Sequence, residues 1–188
     1  MVNQSKPTVA IFGGSFDPPH KGHQQIVEKA VEDLDIDKLL LVPAYLNPFK
    51  RSSLASASKR LEWCHCLFDT VENVIVDDYE IKQGKSTSTS QSVKYFNQMF
   101  DVKYLIIGSD NLSNLHQWHE FEWLNRHIIW VIITRNTYPL KVTGLNKWKV
   151  LTLDTPISST KIRSTKSLDN IDNKIKESVK ETLKGNNE

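Results

Sequence analysis

The sequence predicts an α/β fold: a mostly parallel sheet with helices on both faces. Three observations carry this reading. Short β-rich apolar runs alternate with stretches of helical periodicity along the whole chain. The run Lys38–Val42 (KLLLV) is continuously apolar, as expected of a strand covered on both faces. The runs are punctuated by Gly, Pro and Ser clusters, such as Gly13-Gly14, Pro43–Ser58 and Gly108. Such alternation implies parallel strands joined by crossover helices. Ligands of open sheets of this kind sit beyond the carboxyl ends of the strands.

The elements follow in order. Thr8–Phe12 (TVAIF) is a strand ending in Gly13-Gly14. From Gly22 to Leu34, the residues Ile26, Val27, Ala30, Val31 and Leu34 form a helical stripe. Lys38–Val42 is the second strand, and Pro43–Ser58 a loop with two prolines and many serines. Lys59–Val71 reads as a helix with Leu61, Cys64, Leu67, Phe68 and Val71 on one side. Val74–Val76 is a short strand, followed by Asp77-Asp78-Tyr79-Glu80, which reads as a solvated acidic turn. Gln83–Ser92, rich in Ser and Thr, is expected as a turn leading into a helix over Val93–Met99. Tyr104–Ile107, stopped by Gly108, is a buried strand; Ile128–Thr134 and Val150–Leu153 are two more. Ile171, Ile175, Val179 and Leu183 recur every four residues and predict an amphipathic terminal helix, with Gly185–Glu188 frayed. There is no internal repeat and no boundary in composition, so residues 1–188 are expected to form a single domain.

Composition excludes more than it assigns. The 188 residues are 39% hydrophobic and 24% charged, and 24 Lys plus Arg against 22 Asp plus Glu leave a net charge of +2. That balance argues against a dedicated nucleic-acid binder, but not against a small phosphate ester, which needs only local positive charge. No apolar run reaches the roughly 18 residues of a membrane span. The apolar stretch at the N-terminus is too short for a signal peptide. Cys64 and Cys66, the only cysteines, sit too close on one element for disulfide geometry and have no second pair for a zinc site. A reducing cytoplasm is the expected location, with both cysteines buried or half-buried on their helix.

The chemistry concentrates after strand ends. Gly13-Gly14-Ser15-Phe16-Asp17-Pro18-Pro19-His20-Lys21-Gly22-His23 follows the first strand. Its glycines permit close backbone approach by a ligand, and amides at the start of the next helix can hold phosphate. If that helix begins near Lys21, His20 and His23 face one point before its N-terminus. The stretch lacks the Gly-Lys-Ser/Thr ending of a P-loop. Late in the chain, Ile157-Ser158-Ser159-Thr160-Lys161-Ile162-Arg163 offers helix-capping hydroxyls, free amides and an arginine one turn in, suited to phosphate oxygens. Taken singly, the first stretch also reads as a Gly-Pro loop with two surface histidines, and the second as a plain cap.

Together the two stretches resemble the (H/T)xGH and ISSTxxR elements of the nucleotidylyltransferase superfamily. The resemblance implies a Rossmann-like, doubly wound parallel sheet with a C-terminal helix, and transfer of a nucleotidyl group with release of pyrophosphate. Within that superfamily the chain most resembles nicotinate-nucleotide adenylyltransferases, from about Thr8 to Arg163. Pro43-Ala44-Tyr45-Leu46-Asn47-Pro48-Phe49-Lys50 is similar to that family's loop ending Pro-Pro-His-Lys, with Asn47 and Phe49 replacing the first proline and the histidine. Thr87-Ser88-Thr89 resembles its Ser-Tyr-Thr element without the tyrosine, and Gly108-Ser109-Asp110-Asn111-Leu112 with Trp118-His119 resembles its GxD…W stretch. Arg135-Asn136-Thr137-Tyr138-Pro139 partly follows the family's Arg-Pro-Gly-Tyr.

The resemblance implies ATP and nicotinate mononucleotide as partners, with Mg²⁺ arriving on the triphosphate. It implies catalytic roles for His20, His23, Lys50 and Arg163. ATP would meet Gly13, Gly14, Ser15, Phe16, His20, His23, Gly108, Asp110, Ile157, Ser158, Ser159, Thr160 and Arg163. The acceptor would meet Lys50, Thr89, Trp118 and His119, with Trp118 stacked on the pyridine. The bland alternatives are Trp118 as core beside Phe121, Trp123 and Leu124, and Asp110 as the cap of a helix through Leu112–Leu115. Rival functions are phosphopantetheine adenylyltransferase, which shares the first and last elements, then a cytidylyltransferase, and a nucleotide-binding module without turnover.

Overall fold

The computed structural model describes residues 5–135, 140, 142–153 and 158–185. Six parallel strands form one sheet: β1 (Thr8–Gly14), β2 (Lys38–Pro43), β3 (Val74–Val76), β4 (Asp101–Gly108), β5 (Ile129–Arg135) and β6 (Trp148–Leu153). Their order across the sheet is β3-β2-β1-β4-β5-β6. This is the doubly wound order, in which the winding reverses between β1 and β4 and opens a crevice at their carboxyl ends.

The continuous apolar runs have the predicted cause. Side chains alternate between faces along a strand, and here both faces are covered. Ala10, Phe12, Leu39, Leu41, Tyr104, Ile106, Val131 and Ile133 enter one core; Val9, Ile11, Leu40, Val42, Leu105, Ile107, Trp130 and Ile132 enter the other. The first core is covered by α1 (Lys21–Asp33), α2 (Ala57–Phe68), α6 (Ser159–Thr165) and α7 (Lys176–Gly185). The second is covered by α4 (Thr89–Phe96) and α5 (Phe121–His127). A short helix, α3 (Tyr79–Lys82), precedes α4.

Several boundaries differ from the sequence reading, for physical reasons. Gly13 and Gly14 do not form the turn after β1; they continue the strand, paired with Val42 and Pro43. Helix α4 starts at Thr89, earlier than expected. Ser88 accepts from the Gln91 N–H while Gln91 reaches back to the Ser88 N–H, a capping box inside the Ser/Thr run. The terminal apolar stripe is buried as expected, but only Val179 and Leu183 lie in α7. Ile171 and Ile175 are buried in the turns before it. Cys64 is buried and Cys66 exposed. Asp77–Glu80 is not a solvated turn: Asp77 is half-buried, and Glu80, on α3, is buried at 9% exposure.

Candidate active site

A cavity of about 540 Å³ opens at the carboxyl ends of β1 and β4, where the winding reverses. Its walls come from the β1–α1 loop, the β2–α2 loop, the start of α4, the chain after β4 and the start of α6.

The β1–α1 loop is shaped from within. Phe16, with a positive φ of 47°, turns its ring under Gly14 and against Phe12 (5.4 Å between centroids) and His23 (4.9 Å). A Cβ on Gly14 would press on that ring at 3.1 Å, so the ring packs closely over the bare backbone here. Helix α1 begins at Lys21, with His20 as its N-cap in extended conformation. The His20 N–H donates to Nδ1 of His23 at 3.1 Å, and the two imidazoles stack with centroids 3.8 Å apart. An acceptor Nδ1 fixes His23 as the tautomer protonated on Nε2. Both histidines line the cavity, and His20 is 1% exposed. The juxtaposition expected from a helix beginning near Lys21 is therefore present.

Across the mouth, Lys50 Nζ donates to Ser15 Oγ at 3.1 Å. Partial burial, and then the charge of Arg163, lower its pKa, although the side chain still reaches solvent. Phe49 stands beside it, 62% exposed. These loops are locked by a residue the sequence reading missed. Arg60, 1% exposed on α2, donates to the carbonyls of Ser15 (2.6 Å), Ala44 (2.7 Å), Tyr45 (2.6 Å) and Ala55 (3.3 Å). Buried Asp17 completes the lock by accepting from the N–H groups of Leu54 (2.7 Å) and Ala55 (3.0 Å). Burial lowers the pKa of Arg60, and the charge of Asp17 counters that shift. The missed signal was helical spacing: Arg60, Trp63, Cys64 and Leu67 share one buried face.

Helix α6 starts behind the histidines. Ser158 caps it by accepting from Lys161 N–H (3.2 Å), and Ser159 Oγ donates to Pro18 O (2.9 Å). Ser158, Ser159 and Thr160 line the cavity. Arg163 is not among the lining residues. Its guanidinium turns back to donate to the Asp17 carbonyl and to Thr160 Oγ1 (3.2 Å), with the Asp17 carboxylate at 4.0 Å. Ile157, and positions 136–139, lie outside the described residues.

The far end of the cavity is built from α4 and the chain after β4. Gly108, Asp110, Thr89, Trp118 and His119 all line it. Asp110 lies in a 3-10 turn over Ser109–Asn111. A Cβ on Gly108 would collide with the Asp110 carboxylate, so a larger residue here would push that side chain out of its place. Half-buried Trp118 packs edge-on against Trp130 (6.2 Å) while bordering the cavity, so it joins the core without leaving the site. Nδ1 of His119 lies 3.0 Å from Ser90 Oγ. Glu80, Thr87, Ser88 and Ser92 line the same end, and Ser92 Oγ donates to Glu80 Oε1 at 2.6 Å. Burial, only partly offset by that hydrogen bond, pushes the Glu80 pKa up to about 7. Among the described residues, no group of three or more His, Cys, Asp or Glu is placed to hold a metal ion.

Residues 11–165 match the family described as cytidylyltransferase-like. A Sulfurovum sp. protein named "Probable nicotinate-nucleotide adenylyltransferase" is 67% identical over 188 residues, covering 100% of both chains. The chain belongs to the nicotinate-nucleotide adenylyltransferase family. A Nitratiruptor sp. protein of the same name is 45% identical over 157 residues, covering 82% of this chain and 86% of its own. Among solved structures, Plasmodium falciparum nicotinic acid mononucleotide adenylyltransferase complexed with NaAD superposes with a TM-score of 0.72. It covers 96% of each chain at 21% identity, a likeness of fold. The Rossmann-like fold expected from the two motifs is thus borne out, and no helix among the described residues is long and apolar enough to cross a membrane.

Proposed function

We propose that this protein transfers the adenylyl group of ATP to nicotinate mononucleotide, giving nicotinate adenine dinucleotide and pyrophosphate, a step of NAD biosynthesis. The observation that carries the reading is one cavity with two unlike ends. His20, His23, Lys50 and the start of α6 meet at one end, suited to phosphate; Thr89, Trp118 and His119 meet at the other, suited to a flat pyridine. Residues 1–188 act as a single cytoplasmic domain in this reading.

The acceptor phosphate attacks the α-phosphorus of ATP in line. A P–O bond forms to the acceptor as the bond to the β-phosphate oxygen breaks, and pyrophosphate leaves. The nucleophile is already an anion, so the protein's work is alignment and neutralisation of charge. Gly13, Gly14, Ser15 and Phe16 bring backbone close to the triphosphate. His20 and His23 meet the α-phosphate before the N-terminus of α1, where the helix dipole assists them. Lys50 bridges from the opposite loop toward acceptor and donor phosphates. Arg163 adds its charge from behind while holding the Asp17 carbonyl, and Ser158, Ser159 and Thr160 offer hydroxyls and amides. Asp110 takes the ribose hydroxyls beside Gly108. Trp118 stacks on the pyridine, whose carboxylate meets Thr89 and the His119 N–H. Mg²⁺ fits this donor set as an ion carried by the triphosphate rather than caged by the protein, and it supplies charge neutralisation on the phosphates.

The test is pyrophosphate release from ATP with nicotinate mononucleotide, nicotinamide mononucleotide and 4′-phosphopantetheine in turn. The first is expected to support turnover; activity with 4′-phosphopantetheine alone overturns the reading. His20→Ala is expected to lower kcat by about 100- to 1,000-fold with little change in ATP affinity. Equal losses in both would remove His20 from the transition state.

A further inference from the structure

Glu80 has no part in the chemistry just described, yet it is a buried carboxyl on the wall of the substrate cavity. Oε1 accepts from Ser92 Oγ at 2.6 Å. Among the described residues Oε2 has no hydrogen-bond partner. Ser92 lies three residues after Thr89 and four after Ser88, so all three fall on one face of α4, and all three line the cavity. Glu80 therefore stands at the pyridine end.

Resting on the preceding reading of that end, we propose that Glu80 is a specificity-determining residue, whose Oε2 meets the ring substituent of the acceptor. As a carboxylic acid it donates a hydrogen bond to a ring carboxylate; as a carboxylate it repels one and accepts from a ring carboxamide. The preference between acid and amide acceptors is then set by proton occupancy at Oε2. Burial holds that exchange near neutrality, at about pH 7.

The ionisable surroundings leave Glu80 in control of this switch. On its own segment, Lys82 is paired with Asp78 (3.0 Å), Asp77 accepts from the Tyr79 N–H (2.8 Å), and Tyr79 stacks on Tyr95 of α4. Lys94 of α4 is engaged by Glu120 (2.6 Å). Strand β2, packed against α3, contributes only Lys38, which donates to Asn73 Oδ1 (3.0 Å). Across the cavity stand Lys50, Asp110, His20, His23 and His119. The phosphate of either acceptor titrates near neutrality. It cancels in a ratio of the two acceptors, and substitution at Glu80 separates the contribution of Glu80 from that of the other lining groups.

The experiment measures kcat/KM for nicotinate and nicotinamide mononucleotides, together with their Kd values from quenching of tryptophan fluorescence. In the unmodified protein the acid-to-amide ratio should fall about tenfold between about pH 6 and about pH 8.5, the size of one pKa unit of like-charge coupling. Glu80→Gln should give a ratio independent of pH. Ser92→Ala removes the hydrogen bond that favours the carboxylate, so its midpoint should move to higher pH. A flat ratio in the unmodified protein, or the same fall in Glu80→Gln, overturns the proposal while leaving the adenylyl-transfer reading intact. Failure of both pyridine nucleotides to bind or turn over defeats that reading, and this proposal with it.

Discussion

Replacing Arg60 by methionine tests how the phosphate end of the site is held. The substitution keeps an unbranched stem but removes all four hydrogen bonds to the carbonyls of Ser15, Ala44, Tyr45 and Ala55. The bonds to Ala44 and Ala55 are fully buried, those to Ser15 and Tyr45 partly so. Two orphaned buried carbonyls cost about 1–3 kcal/mol each. The Asp17 carboxylate loses a neighbouring cation but keeps the Leu54 and Ala55 N–H groups, which limits its share. Relief of a buried guanidinium offsets part of the loss, and breaking such an arrangement from one side costs about 3–5 kcal/mol in all. Urea unfolding followed by tryptophan fluorescence reads this loss directly. Turnover should fall as well, because the carbonyls released belong to the loops that carry Ser15 and Lys50. A loss below about 1 kcal/mol with unchanged kcat would refute the view that Arg60 holds these loops together.

Three further outcomes follow from particular groups. Glu80 has a folded pKa of about 7 against an ordinary 4.5, so the folded state holds its proton more tightly. Its contribution to stability is present below about pH 4.5 and is lost as pH rises to about 7, by roughly 3 kcal/mol, and Glu80→Gln should remove that slope from urea midpoints measured across the window. A thiol reagent should titrate one cysteine in the native protein and two in denaturant, because Cys66 is exposed whereas Cys64 is buried, with its pKa pushed up by that burial. Gly108→Ala should displace Asp110 and raise KM for ATP several-fold with little change in unfolding free energy; an unchanged KM would separate Asp110 from the nucleotide.

The sheet was legible because its strands are buried on both faces, and burial on both faces writes an uninterrupted apolar run. The histidine pair was legible for a related reason: three-residue spacing at a helix start leaves little freedom in where two side chains meet. Arg60 and Glu80 were not legible by composition, since both are charged and charged residues are ordinarily exposed. Arg60 sat in register with Trp63, Cys64 and Leu67, so periodicity held the information that residue type concealed. Glu80 had no such register, because α3 is a single turn and its partner Ser92 lies twelve residues on. Arg163 shows the reverse limit. Its place one turn into α6 follows from the sequence, but the carbonyl it turns to, that of Asp17, belongs to a segment 146 residues away.

The connection between α6 and α7 bears on when the site comes into being. The Lys21 N–H, first in α1, donates to the Asn170 carbonyl at 3.0 Å; Lys21 Nζ reaches Asp169 O at 3.2 Å, and Gln24 reaches Asp172 at 3.1 Å. The helix that presents His20 and His23 is thus fastened at its origin by residues synthesised almost a whole chain later. A nascent polypeptide halted after β6 possesses both imidazoles and all six strands of the sheet but lacks these anchors. Closing so long a loop is slow relative to local helix formation. On the proposed reading, the surroundings of His20 and His23 are therefore complete only when the α6–α7 connection is in place, and are not inherited from the early βα unit that contains the histidines.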